Sequence, residues 1–192
     1  MIGAVLRLPR LGAGAPPGGD PVTTRPASCT LRMTHQAGVT RSCTANPQNA
    51  AAGVDMFAAC AIDKAGTYTL TAASGGLTNA VSNNVTITVG SSAMLAFTTS
   101  PSNSSAGIAF GTQPVVAVQD AGGNTRTSST RSVTLTITTP AGATLSCTQN
   151  PKNASAGVDA FAGCRINLPG TYTLTAASAG LTDAVSTTFT IS

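Results

Sequence analysis

Cysteines are the residues of this 192-residue sequence whose type and spacing most readily suggest chemistry. Cys43 and Cys60 lie near the two ends of the stretch SCTANPQNAAAGVDMFAAC. Cys147 and Cys164 hold the same places in its near-copy, SCTQNPKNASAGVDAFAGC, 104 residues later. Such a repeated pair could bind a metal, act as a redox dithiol or strengthen a scaffold.

The spacing within each pair favours a scaffold. Zinc sites usually contain close pairs such as C-x2-C and four ligands in all, and thioredoxin-like dithiols need C-x-x-C at a helix start. Each copy has two cysteines 17 residues apart and no repeated histidine. We therefore predict one disulfide per copy, Cys43 with Cys60 and Cys147 with Cys164. The alternatives are buried reduced thiols and metal or redox chemistry. Disulfides would indicate an oxidising compartment.

Cys29, the fifth cysteine, has Val133 as its counterpart in the second copy. It alternates with Leu31 and Met33, so we expect a small buried hydrophobic residue. An intermolecular disulfide is the alternative, favoured if an incomplete domain leaves Cys29 exposed.

Catalytic motifs are missing from the sequence. The single histidine, His35, is replaced by Thr139 in the second copy, so a catalytic role for it is only an alternative. G-x-S-x-G, H-E-x-x-H and P-loop patterns are absent. We predict no catalytic, cofactor-binding or metal-binding residue, and no cofactor.

Aspartates could pair as general acid and base, but the repeat argues against this. Three of them are matched by amides in the other copy, namely Asp20 with Asn124, Asp63 with Asn167 and Asp183 with Asn79. Turns accept either side chain, whereas an amide cannot act as a general acid. Only Asp55 and Asp159 persist as Asp, and we expect them at a turn or strand start. Calcium binding between domains is the alternative.

Composition indicates the elements that hold these residues. Only 8% of residues are charged and 4% aromatic, and Thr and Val fill the periodic segments, as in all-β proteins. The net charge of +4 comes from scattered Lys and Arg, so we predict no nucleic-acid partner. The absence of an 18-residue apolar stretch predicts no membrane span.

The internal repeat defines the domain organisation. Residues 18–88 align with residues 122–192 without a gap, and about two thirds of positions 40–88 are identical to their counterparts. On the N-terminal side of Gly18 the two copies no longer match. The second copy has residues 95–121 there, and the first has only MIGAVLRLPRLGAGAPP. Either residues 2–8 supply a substitute strand, or the sequence is a fragment of a longer protein.

Alternation and turn signals predict seven strands in the complete copy. They are Leu95–Thr99, Val115–Gln119, Val133–Thr138, Thr144–Cys147, Val158–Ile166, Thr171–Ala176 and Thr187–Ile191. Seven short strands separated by turns favour a Greek-key β-sandwich.

The stretches VQDAGGN, VTLTIT, GVDAFAGC, GTYTLTAASAGLTDAVS and FTIS resemble bacterial immunoglobulin-like (Big/invasin-like) repeats. The resemblance covers residues 95–192 fully and about 18–89 partly. It implies an extracellular, non-enzymatic module, as in invasin- and intimin-like adhesins. Tyr68 and Tyr172 lie where Ig-like domains often bury a tyrosine.

The sequence therefore predicts an all-β protein of tandem Ig-like Greek-key β-sandwiches, the first incomplete. We expect a divergent segment (1–17), a partial repeat (18–90) and a complete repeat (91–192). The short linker VGSSAM (89–94) suggests domains placed end to end, as in a spacer or stalk.

The expected role is a structural or adhesive module of a secreted or cell-surface protein, within a longer multidomain chain. An unknown protein or glycan would bind through its loops. The alternative is an accessory carbohydrate- or protein-binding module of a larger secreted enzyme.

Overall fold

The computed structural model describes residues 4–7, 28–33, 37–51, 54–139 and 142–192. His35 lies outside them. The chain divides into unit 1, Met1–Thr88, and unit 2, Val89–Ser192. The strands of unit 1 are β1 (Ala4–Arg7), β2 (Ser28–Met33), β3 (Arg41–Ser42), β4 (Gln48–Asn49), β5 (Met56–Ile62), β6 (Gly66–Tyr68), β7 (Leu70–Ser74), β8 (Ala80–Val81) and β9 (Val85–Ile87). Those of unit 2 are β10 (Met94–Thr99), β11 (Val115–Gln119), β12 (Ser132–Thr139), β13 (Leu145–Ser146), β14 (Lys152–Asn153), β15 (Val158–Ala160), β16 (Arg165–Ile166), β17 (Gly170–Ala177), β18 (Ala184–Val185) and β19 (Phe189–Ile191).

Unit 2 is a sandwich of two antiparallel sheets. One sheet has the order β10-β11-β15, and the other has the order β14-β12-β17-β18 with β19 also paired to β17. In an Ig-like domain of seven strands, the first, second and fifth strands share one sheet and the third, sixth and seventh share the other. Of the seven predicted strands, the first, second and fifth correspond here to β10, β11 and β15, and the third, sixth and seventh correspond to β12, β17 and β19. Along β12, Val133 and Leu135 are buried while Thr134 and Thr136 are exposed, because successive side chains of a strand point to opposite faces. The all-β, Ig-like prediction is confirmed.

Unit 1 repeats this frame 104 residues earlier. Its sheet β4-β2-β7-β8 matches β14-β12-β17-β18, and β6 pairs with β9 as the beginning of β17 pairs with β19. The third sheet of unit 1 has the order β1-β5-β3. Arg7 in β1 opposes Met56, whose counterpart Ala160 is opposed by Val115 in β11. Residues 4–7 thus form a strand on the side of the sheet that β11 occupies in unit 2. Within the described residues unit 1 has no counterpart of β10.

One predicted strand, residues 158–166, is wrong as a single element. The structure divides it into β15, which pairs with β11, and β16, which pairs with β13. Gly163 lies between them with φ +61°, a left-handed conformation that glycine adopts without steric cost. Its counterpart Ala59 has a similar φ of +49° but lies within the continuous strand β5. The two-residue strands β14 and β18 were not predicted, because two residues carry no detectable alternation.

Each unit buries its own apolar cluster between its sheets. The cluster of unit 2 is made of Leu95, Phe110, Val116, Val118, Val133, Leu135, Ala154, Phe161, Cys164, Ile166, Tyr172, Leu174, Ala176, Phe189 and Ile191. That of unit 1 is made of Cys29, Leu31, Phe57, Leu70 and Ala72. Among the described residues, the buried apolar cluster of unit 1 therefore has fewer members than that of unit 2.

Candidate functional site

The four repeated cysteines form two disulfides, Cys43–Cys60 and Cys147–Cys164, each spanning 17 residues. Cys43 directly follows β3, and Cys60 lies in β5, the strand that pairs with β3. In unit 2, Cys147 directly follows β13, and Cys164 directly precedes its partner β16. Each disulfide thus joins two neighbouring strands of the same unit.

The asparagine of the repeated Asn-Pro dipeptide ties the intervening loop to the other sheet. The Asn46 side chain accepts a hydrogen bond from the Leu31 N–H at 2.8 Å and donates one to the Leu31 carbonyl at 2.9 Å. Asn150 makes the same two bonds to Leu135, at 2.9 and 2.8 Å. A side-chain amide that satisfies both polar groups of a buried residue stabilises the strand edge, so this motif is structural.

Each tyrosine lies in a strand that begins with a Gly-Thr pair, β6 or β17, and anchors the beginning of that strand to the preceding residues. The Tyr172 hydroxyl donates to the Leu168 carbonyl at 3.0 Å, and that of Tyr68 donates to the Lys64 carbonyl at 2.9 Å. Such a hydroxyl bond to backbone a few residues upstream is the tyrosine corner of Ig-like sandwiches. A Cβ at Gly170 would lie 3.0 Å from the Tyr172 hydroxyl, so a side chain there would displace the ring.

The exchange of aspartate for asparagine between copies leaves the local hydrogen bond unchanged. Asp63 Oδ1 accepts a bond from the Thr40 N–H at 2.7 Å, and Asn167 Oδ1 accepts one from the Thr144 N–H at 2.7 Å. The position needs only a side-chain oxygen. This geometry supports a turn role for Asp63 rather than acid–base chemistry.

Asp159 is the most unusual polar group of unit 2. It is the middle residue of β15 and is 0% exposed, and neither of its carboxyl oxygens has a hydrogen-bond partner in the described structure. Burial raises its pKa to about 6, although the positive charge of Lys152 acts in the opposite direction. A buried carboxyl without partners disfavours its charged form. The sequence pattern placed Asp159 near a strand start but could not show that its side chain points into the core.

Asp55, its counterpart, lies directly before β5 and has a different neighbour. Burial raises its pKa, while a hydrogen bond from the Cys29 thiol lowers it. The pKa of Cys29 is raised by burial and by the Asp55 carboxylate. Cys29 is fully buried and is not in a disulfide. It matches the expected small buried residue, and full burial is incompatible with the alternative of an intermolecular disulfide.

Asp120 organises the turn that follows β11. Its Oδ1 accepts bonds from the N–H groups of Gly122 and Asn124, both at 2.9 Å, and its Oδ2 accepts one from the Gly90 N–H at 2.7 Å. Burial opposes its charge, but bonds from Asn124, Gly90 and Gly122 outweigh that effect and lower the Asp120 pKa. The sequence DAGGN is typical of a turn at this place. The bond to Gly90, 30 residues earlier, could not be predicted from it.

The described residues do not bring together three or more side chains suited to binding a metal ion. They also contain no helix of the length and hydrophobicity needed to cross a membrane.

Comparison with known proteins gave resemblance in structure only. No protein-family model matches the sequence, and no curated protein matches it. The D00-D0 domain of intimin is 15% identical with a TM-score of 0.46, covering 85% of this chain and 84% of that chain. Domains 4 and 5 of the S-layer protein SbsC are 16% identical with a TM-score of 0.37, covering 88% and 74%. A glycosyl hydrolase family 2 member from Bacteroides cellulosilyticus is 13% identical with a TM-score of 0.46, and this chain spans only 19% of it. Similarities this weak carry no argument about function.

Proposed function

We propose that this chain is a non-enzymatic structural module of a secreted or cell-surface protein, in which Ig-like sandwiches act as a spacer. One observation carries the proposal: the repeated cysteines and the polar side chains at positions 63 and 167 are used to build the sandwich. Cys43–Cys60 and Cys147–Cys164 are disulfides, and Asp63 and Asn167 make the same bond. Disulfides persist in oxidising compartments, which supports a location outside the cytosol.

The alternative, an accessory carbohydrate-binding module, has less support. Ligand sites are lined predominantly by hydrophobic and aromatic side chains, and sugar-binding sites usually present a planar aromatic face to the ligand. The chain has two Tyr, five Phe and no Trp, and of these only Phe97 is not fully buried. A polysaccharide pull-down with the full chain should therefore recover no specific ligand; saturable retention on one polysaccharide would favour the alternative.

Thiol counting tests the proposed compartment. The full chain is fused to an export signal, collected from the periplasm, denatured without reductant and alkylated. We expect one modified cysteine, Cys29, and five after reduction. Five modified cysteines before reduction would contradict the proposal.

Small-angle scattering from the full chain tests the spacer role. We expect an extended particle, because the two repeats are joined by a short linker. A compact particle with a large apolar interface between the repeats would contradict it.

A further inference from the structure

The disulfide of unit 1 has a cationic side chain beside one of its sulfur atoms. Arg41 lies in β3, two positions before Cys43, and side chains two positions apart on a strand point to the same face. The Arg41 guanidinium donates a hydrogen bond from Nη1 to Cys43 Sγ at 3.2 Å. Cys60, the other half of this disulfide, is partly exposed. The two ends of the Cys43–Cys60 bond therefore have different electrostatic surroundings.

The disulfide of unit 2 differs at this position. The counterpart of Arg41 is Leu145, which packs against the apolar cluster of unit 2 and has no group that could donate a hydrogen bond. Arg165 is next to Cys164 in the sequence, but its side chain is exposed whereas Cys164 is 0% exposed. Because successive side chains of a strand point to opposite faces, Arg165 does not take the place of Arg41.

A cation beside one sulfur atom changes how a disulfide reacts with a thiol. Exchange begins when a thiolate attacks one sulfur atom of the disulfide and the other sulfur leaves as a thiolate. The reaction is faster when the leaving thiolate is more stable, and a neighbouring arginine stabilises a thiolate. The contact between Arg41 and Cys43 therefore favours attack on Cys60 and departure of Cys43.

We propose that Cys60 is a site at which small thiols modify the chain reversibly, with Arg41 stabilising the Cys43 thiolate that leaves. The external thiolate donates an electron pair to Cys60 Sγ and forms a new S–S bond, and the electron pair of the Cys43–Cys60 bond departs with Cys43. This step consumes one thiolate and releases one thiolate, so it needs no other oxidant or reductant. Attack by Cys43 on the new bond reverses it. The inference does not rest on the spacer role.

The test exposes the folded, oxidised full chain to reduced glutathione. Samples are quenched with acid at set times, and peptide mass spectrometry locates each adduct and each free cysteine. We expect the first adduct on Cys60 with Cys43 free, and exchange about tenfold faster at Cys43–Cys60 than at Cys147–Cys164. A first adduct on Cys43, or equal rates for the two disulfides, would overturn the proposal.

Two substitutions at Arg41 separate its charge from its bulk. Arg41→Leu supplies the residue that unit 2 has at this position. It should slow exchange at Cys43–Cys60 about three- to tenfold, because it removes a hydrogen bond to a developing charge whose strength is only partly expressed in the transition state. Arg41→Lys keeps a positive charge and should retain most of the rate. An unchanged rate in the leucine variant would overturn the role of Arg41.

The free thiol of Cys29 reports whether unit 1 is folded during exchange. Cys29 is fully buried and is not in a disulfide, so iodoacetamide should modify it only when unit 1 opens. Alkylation is measured on a parallel sample without glutathione, and it should be much slower than exchange at Cys43–Cys60. Alkylation as fast as exchange would show that the disulfide reacts only in opened molecules, which would overturn the proposal. If Arg41→Leu speeds Cys29 alkylation, the adduct position and the two wild-type exchange rates still decide the outcome.

Discussion

The two units contain pairs of identical residues that are buried to different extents. Ile166 and Ile191 are almost fully buried in unit 2, whereas Ile62 and Ile87 are only partly buried in unit 1. Ile87 and Ile191 both oppose a glycine, whereas Ile62 opposes Arg41 and Ile166 opposes Leu145. In unit 2, residues 93–110 add to the cover, because the Gly107 N–H donates to the Ile166 carbonyl at 2.8 Å and the Ser104 N–H donates to the Thr190 carbonyl at 3.1 Å. No counterpart of this segment lies within the described residues of unit 1. The comparison shows that residues of the same type are buried to different extents when their cross-strand partner and their cover differ.

The buried carboxyl groups show a second difference. Asp55 lies beside the thiol of Cys29, while Asp159 has no hydrogen-bond partner in the described structure. The counterpart of Cys29 is Val133, which has no polar atom in its side chain. Asp55 therefore differs from Asp159 in having the Cys29 thiol beside it, although its Oδ1 is also buried without a hydrogen-bond partner in the described structure.

The largest expected effect comes from matched isoleucine truncations. Ile166→Ala should lower the free energy of unfolding of unit 2 by about 4 kcal/mol, because a fully buried aliphatic side chain leaves a cavity. Ile62→Ala should cost unit 1 only about 1–2 kcal/mol, since that side chain is already partly in water. Hydrogen exchange with mass spectrometry, resolved by unit, measures both. Equal losses in the free energy of unfolding would show that the two isoleucine side chains are equally buried.

Removing each disulfide should have equal effects in the two units. Both close loops of 17 residues, so Cys→Ala at both positions of a pair should cost about 3 kcal/mol through the greater entropy of the unfolded chain. Unit-resolved hydrogen exchange without reductant provides the measurement, and each double variant is the control for the other. A cost confined to unit 2 would contradict this expectation and sharpen the contrast between the cores.

Asp159 should make the stability of unit 2 depend on pH. Its pKa rises from an ordinary value of 3.8 to about 6 on folding, so folded unit 2 binds a proton that the unfolded chain releases. The stabilisation is complete below about pH 4 and is lost as pH rises to about 6, a total of about 3 kcal/mol. Asp120 has a lowered pKa, so its contribution to stability changes with pH in the opposite direction. Asp120 is present in both the wild type and the Asp159 variant, so its contribution cancels when the two are compared. Asp159→Asn should remove this contribution, so the difference in stability between wild type and variant should change by about 3 kcal/mol between about pH 4 and pH 6. The same slope in both proteins would contradict the assignment.

The smallest expected effect is at Asp63. Asp63→Asn should change the stability of unit 1 by less than about 0.5 kcal/mol, because Asn167 already makes the equivalent 2.7 Å bond in unit 2. Asp63→Ala removes the oxygen acceptor and should cost about 1 kcal/mol. Urea denaturation followed by circular dichroism compares the two variants. A large loss with Asn would show that the charge itself matters.

Most of the fold could be predicted because its signals are local. Alternation of Val, Leu and Ile with Thr located β12, and turn residues marked where strands such as β11 end. The internal repeat added a second source of information, because Asp63 and Asn167 exchange acid for amide while their neighbours stay the same. The continuous strand predicted over residues 158–166 was wrong, since its two ends pair with different strands, β15 with β11 and β16 with β13.

The sequence by itself determined the strand positions, the 104-residue repeat and the spacing of the cysteines. These depend on periodicity and turn chemistry, which act over a few residues, and on self-similarity, which needs no coordinates. Only the tertiary structure decided that Asp159 is buried without a partner, that Gly90 binds Asp120 and that Ile62 is less buried than Ile166. Burial depends on which distant segment covers a side chain, and a local pattern carries no information about that segment.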